Sequence, residues 1–171
     1  MDKVLSTILL MVAAVVCVTL VINAVYPAIT SSTGALGSAS ARMNERIRSQ
    51  VEIINAAGEL DGDGDWQDTN SNTYFDVFVW MKNIGVETVV DIEHCDVFLS
   101  GNQTVWAWIP HADSAGGTFP QWDYVIENGS EWSTATTLRI DISYESPLSS
   151  GEYDIRVLIP NGVSDDYFFS M

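Results

Sequence analysis

Residues 4–25 read VLSTILLMVAAVVCVTLVINAV. The run contains no charge, and its polar side chains are only Ser6, Thr7, Thr19 and Asn23. As a helix it spans about 33 Å, enough to cross the hydrocarbon core of a bilayer. No A-x-A-like cleavage site stands out after it, so it reads as a retained helix rather than a cleaved signal. Two readings follow. One is a single-pass anchor. The other is a helix held in the membrane only until it packs against copies of itself.

The residues that follow favour the second reading. Beyond Pro27, the apolar residues Ile29, Leu36, Ala39, Met43, Ile47, Val51 and Ile54 recur mostly at spacings of three, four or seven. That is one stripe of an α-helix. Arg42, Glu45, Arg46, Arg48 and Glu52 fall off it. The pattern predicts a helix over residues 1–57 closed by Gly58, with a kink or loosened turn near Pro27, Gly34 and Gly37. The side chains expected to pack in its assembled core are Val4, Leu5, Ile8, Leu9, Val12, Val15, Val16, Leu20, Ile22, Ile29, Leu36, Met43, Ile47, Val51 and Ile54.

Downstream the period changes. Residues 58–72, GELDGDGDWQDTNSN, form an acidic linker loop. Residues 73–171 then break into β-rich runs at 73–81, 86–92, 95–100, 104–109, 121–127, 136–144 and 152–159, with a short one at 167–169. Turn residues separate them. The class is α+β: a long N-terminal hydrophobic and amphipathic helix followed by an immunoglobulin-like β-sandwich. Strand 73–81 is apolar on both faces, with Tyr74, Phe78 and Trp80 on one side and Phe75, Val77, Val79 and Met81 on the other. Its outer face needs cover from the helix or a neighbouring subunit. Trp106 and Trp108 share a strand face; they read as packing residues rather than a sugar platform, since nothing in the sequence groups them with polar sugar-binding residues.

Charge divides unevenly. Residues 1–54 carry a net +1 (Lys3, Arg42, Arg46 and Arg48 against Asp2, Glu45 and Glu52). Residues 55–171 carry a net −17 (Lys82, Arg139 and Arg156 against twenty acids), which excludes nucleic acid as a partner. Asp61, Asp63 and Asp65 alternate like the first ligands of a calcium loop, and Asp68 could add a fourth oxygen. Trp66 occupies the position where an EF-hand needs glycine, and Asn72 the position of its bidentate glutamate. Two readings stay open there, a Ca2+ site of other geometry and a solvated acidic turn. Asn102 and Asn128 begin N-x-S/T sequons and are candidate N-linked glycan sites. Cys17 and Cys95 read as buried small hydrophobes with no disulfide between them. His94 and His111 stand near no nucleophile signature, which excludes the familiar catalytic constellations, so the chain does not read as an enzyme.

The opening VLSTILLMVAAVVCVTLVINAVYPAITS, the strand and turn VFVWMKNIGVETV, and GEYDIRVLIPNG near the C-terminus together resemble archaellin, the filament subunit of the archaellum, within the type IV pilin-like superfamily. Leu5 stands where type IV pilins carry glutamate, as it does in archaellins. The resemblance implies a homopolymer: a helical, extracellular motility filament. It also implies insertion in the cytoplasmic membrane before assembly, a prepilin peptidase and a dedicated assembly machinery. A membrane-anchored accessory protein that binds the cell envelope, or a pilin-like adhesion filament, are the alternatives.

Overall fold

The computed structural model describes residues 2–101 and 105–171. It contains two compact units, residues 1–43 and 44–171. The first unit is helical. Helix α1, Asp2–Arg48, runs unbroken through Pro27, Gly34 and Gly37, so the loosened turn expected there is absent. Proline removes an N–H donor from the helical ladder. The acceptor it leaves without that donor is the Asn23 carbonyl; on the C-terminal side, Thr30 Oγ1 and Ser31 Oγ donate to the Pro27 carbonyl at 3.0 and 2.6 Å. Arg46 and Arg48 occupy the last turn, where the helix dipole favours cations.

The helix ends nine residues earlier than its apolar stripe suggests. Strand β1, Val51–Gly58, begins after only Ser49 and Gln50, so the sandwich starts at residue 51 rather than 73. The acidic stretch 58–72 is therefore a hairpin loop inside the sandwich, between β1 and β2 (Phe75–Asn83), not a linker in front of it. The reason is a second period hidden in the stripe. Val51 and Ile53 alternate inward, a β-bulge inserts Ile54 as the extra residue, and Ala56 returns to the core. Val51 thus packs inside the sandwich, and Ile54 lies on its surface, 47 % exposed; neither belongs to the helix.

The remaining strands are β3 (Asp96–Gly101), β4 (Ala107–Ile109), β5 (Gln121–Glu127), β6 (Thr137–Tyr144), β7 (Glu152–Leu158) and β8 (Ser164–Ser170), with the short helix α2 (Ala112–Ala115) before β5. They form two antiparallel four-stranded sheets, ordered β1-β2-β6-β5 and β4-β3-β7-β8. Phe75, Val77, Val79 and Met81 of β2 lie beside Leu138, Ile140 and Ile142 of β6 and share one core with Val97, Ile155 and Val157 of the other sheet. All are wholly buried, as are Trp122 and Trp132. Burying each such side chain stabilises the fold by about 1.5–3 kcal/mol before entropy is counted.

Residues 86–92 do not form the expected strand. They make one isolated bridge, Val89 to Trp132, and end in a single 3-10 turn, Ile92–His94. The β-branched residues favour extension, but the Val86 N–H goes to the Arg48 carbonyl and the Val89 N–H to that of Trp132, two different partners rather than one neighbouring strand. Asp91 then turns the chain with a left-handed φ of 56°.

Candidate assembly surfaces

The helix presents the expected assembly residues to solvent. Val4, Leu5, Ile8, Leu9, Val12, Val15, Val16, Leu20, Ile22, Ile29, Leu36, Met43 and Ile47 are all exposed, between 49 % and 72 %. The helix is long and apolar enough to cross a membrane, and none of its most apolar window is buried within the chain. Its length, about 70 Å at the usual rise, is more than twice what a bilayer core requires. Cys17 lies exposed on this helix, contrary to its reading as buried, whereas Cys95 is buried in the sandwich. Burial pushes the Cys95 thiol up to about 12, so it is not a nucleophile at neutral pH. Its neighbour His94 is solvent-exposed, and the two form no catalytic pair.

Within the second unit, the last turn of α1 is fastened to the sandwich. The segment Ile84–Val86 runs alongside residues 48–50: the N–H groups of Ile84 and Gly85 donate to the Gln50 carbonyl (2.9 and 3.0 Å), and that of Val86 donates to the Arg48 carbonyl (2.8 Å). Asn83 holds the segment from the other side. Its Oδ1 accepts from the Gly85 N–H at 3.0 Å, and its Nδ2 donates to the carbonyls of Glu87 (2.7 Å) and Trp132 (3.2 Å). Gly85 has no room for a side chain, since a Cβ would lie 2.4 Å from the Arg48 carbonyl oxygen and 2.5 Å from the Gln50 nitrogen. Arg48 pairs with Glu87 at 2.9 Å, and Arg46 Nε donates to the Asn161 carbonyl at 2.8 Å. The K-N-I-G sequence at 82–85 is therefore a clamp on the end of the helix. The sequence shows the motif but not its partner, 35 residues upstream.

The four aspartates do not converge. Asp61 accepts the N–H groups of Asp63 (3.0 Å) and Asp65 (2.9 Å) and the Gln67 amide (3.0 Å). Backbone N–H groups, first that of Asp65 and then that of Asp63, hold its carboxyl below the usual value. Asp68 accepts from the N–H groups of Ser71, Asn72 and Thr73. Among the described residues, no three His, Cys, Asp or Glu are grouped as metal ligands. The loop instead has a centre that the sequence reading missed. Glu59, nearly fully buried, accepts from the Thr69 N–H and hydroxyl, from the Trp66 indole at 3.3 Å and from the Asp76 N–H at 3.2 Å. Asp76, also buried, accepts the amides of Asn70 and Asn72 at 2.6 Å each.

Of the sequons, Asn128 sits exposed in the turn between β5 and β6, with φ 64°. Asn102 lies outside the described residues. On the outer face of β2, Phe78 and Trp80 are half-buried against each other, ring centroids 6.0 Å apart, with the Arg139 guanidinium 5.7 Å above Phe78. Tyr74 stacks on Phe119 at 4.4 Å. Trp106 stands just before β4, so it shares no strand face with Trp108; it lies under Arg156 at 4.8 Å, and the indole of Trp108 (55 % exposed) donates to Asp96 at 3.1 Å. These tryptophans do have charged neighbours, which strand alternation alone did not reveal.

Comparison with known proteins agrees with this architecture. Among solved structures, the archaeal flagellum of Methanospirillum hungatei strain JF1 aligns over 95 % of this chain and 92 % of its own, with 11 % identity and a TM-score of 0.51. The archaellum periplasmic stator protein FlaG from Sulfolobus acidocaldarius aligns over 71 % of this chain and 99 % of its own, with 21 % identity and a TM-score of 0.53. At these identities the likeness is one of fold. A protein described as uncharacterized from Archaeoglobus fulgidus is 30 % identical over 175 residues, covering 97 % of each chain. The archaeal-type flagellin family model matches residues 2–169. A long apolar helix followed by a β-sandwich, matched by that family over residues 2–169, makes this an archaellum-related protein of the cell surface: the chain belongs to the archaeal-type flagellin family.

Proposed function

We propose that the chain is the structural subunit of an archaellum-type motility filament, a homopolymer joined through α1. The surplus of helix beyond the membrane span carries this reading. Residues 4–25 suffice for an anchor, yet Ile29, Leu36, Met43 and Ile47 continue the apolar stripe beyond it, between 58 % and 66 % exposed. Neither a membrane nor the chain itself covers them, whereas further copies of the chain would. Before assembly, residues 4–25 rest in the cytoplasmic membrane, already away from water. Polymerisation therefore draws on side-chain packing, on contacts between sandwiches and on an assembly machinery, not on hydrophobic transfer alone. Processing by a prepilin peptidase belongs to the same reading. Contacts between unlike surfaces do not close and so generate an open helix of subunits.

The second reading, a membrane-anchored accessory protein with one sandwich, draws on the span at 4–25 but leaves the lower stripe without a role. The test is Val12→Asp or Val16→Asp. A lone carboxylate in a dry bundle has no partner, so filaments should vanish from sheared cell-surface preparations viewed by negative stain, while the sandwich stays folded. Filaments in which mass spectrometry finds this chain only as a trace component would instead favour the accessory role.

A further inference from the structure

The base of the sandwich, beside the helix clamp, carries an apolar and acidic surface that the chain itself leaves open. Ile84, Val86 and Val90 are 53 %, 71 % and 65 % exposed on a segment with almost no strand pairing. Val90 borders two clefts. One, of about 330 Å3, is lined by Glu45, Ser49, Glu87 and Asn161 among others; the other, of about 380 Å3, by Glu93, Tyr124 and Glu131 among others. Among the described residues, Asp91, Glu93 and Glu131 form no ion pair with lysine or arginine; Glu93 only approaches His94, at 3.7 Å.

Resting on the filament reading, we infer that this surface receives residues 29–43 of α1 from a second copy of the chain. The complementarity is in both pattern and charge. Between Tyr26 and Met43 the helix has a single charge, Arg42, which has no ion-pair partner among the described residues. Ile29, Leu36 and Met43, spaced by seven, form an exposed seam beside it. Laid against the sandwich base, the seam covers Val86 and Val90, and Arg42 meets the acids of the second cleft. Residues 55–171, with a net charge of −17, repel another sandwich and attract this cationic stretch of helix. The contact joins unlike surfaces, so each copy both gives a helix and receives one.

The test uses full-length chains on cells that assemble the filament, in a Cys17→Ser background; the buried thiol of Cys95 stays silent. Leu36→Cys and Val90→Cys chains are co-expressed as separate single variants and oxidised with copper phenanthroline, so that any 36–90 link joins two copies. We expect the linked peptide pair in the digest of purified filaments. We also expect Arg42→Glu to lower filament yield by roughly tenfold, from like-charge opposition, and Glu93→Arg to restore it. Filaments that form without the 36–90 link, or an Arg42→Glu defect that Glu93→Arg does not relieve, overturn the inference and leave the filament reading intact. Absence of any filament from the unsubstituted chain overturns both.

Discussion

Gly85→Ala probes the clamp most directly. The new Cβ would lie 2.4 Å from the Arg48 carbonyl oxygen, 2.5 Å from the Gln50 nitrogen and 3.0 Å from the Ser49 Cα. All three are backbone atoms, so no side chain can swing aside. Gly85 is not among the positive-φ glycines, and the cost is purely one of space. The segment relieves the clash by lifting from residues 48–50, which strains or breaks the bonds from Ile84, Gly85 and Val86. Each is worth about 1 kcal/mol net, and overpacking without relief costs about 1–3 kcal/mol. The expected loss is about 2–4 kcal/mol. For a unit of about 130 residues this lowers the melting temperature by roughly 10 °C. The assay is thermal unfolding of the full chain in detergent, followed by tryptophan fluorescence, since Trp132 is buried and its carbonyl is held by the clamp. Gly62→Ala, where a Cβ meets nothing within 4 Å, serves as control and should shift melting little. A Gly85→Ala melting temperature within about 2 °C of the parent would show that the close approach is not structurally constraining.

Asp165→Ala removes the carboxylate that accepts the N–H of buried Ile53 at 2.7 Å, beside the bulge in β1. It should cost about 1–3 kcal/mol in urea unfolding, with Asp165→Asn losing less because its amide oxygen still accepts. The acidic loop should loosen in acid. The Asp61 carboxyl titrates below its ordinary value in the folded chain, so its contribution is complete above pH ~4 and disappears as pH falls through the folded value. Amide protection of Asp63 and Asp65 should fall over that window and become insensitive to it in Asp61→Asn. Because Asp61 and Asp68 accept from protein donors, EDTA should leave the melting temperature unchanged, and a drop would favour the calcium site over the solvated turn.

The long helix and most strands are legible as periods of 3.6 and 2, because burial on one face imposes them. The end of the helix is not. Met43, Ile47, Val51 and Ile54 satisfy helical spacing, while Val51, Ile53 and Ala56 satisfy a bulged strand, and only pairing with β2 decides between them. Residues 86–92 misled for a related reason: β-branched side chains report extension, not which carbonyls their neighbours' N–H groups will find. The aspartates at 61–68 show the same limit in polar form, since an alternation that suits a cation suits turn amides equally well. The clamp is visible as a motif at Asn83 and Gly85, but its target at Arg48–Gln50 is a contact between distant residues that no local pattern encodes.

The two-residue connection between α1 and β1 has a mechanical consequence. Ser49 and Gln50 leave no slack: two backbone bonds hold the Gln50 carbonyl, and the Val86–Arg48 backbone bond, the Arg48–Glu87 pair and the Arg46–Asn161 bond tie the last helical turn to the sandwich. A pull or twist on that turn is shared among these ties and reaches β1 at once, without first straightening a tether. Parting that turn from the sandwich therefore means breaking several ties together rather than one after another, as peeling a riveted seam differs from unzipping one.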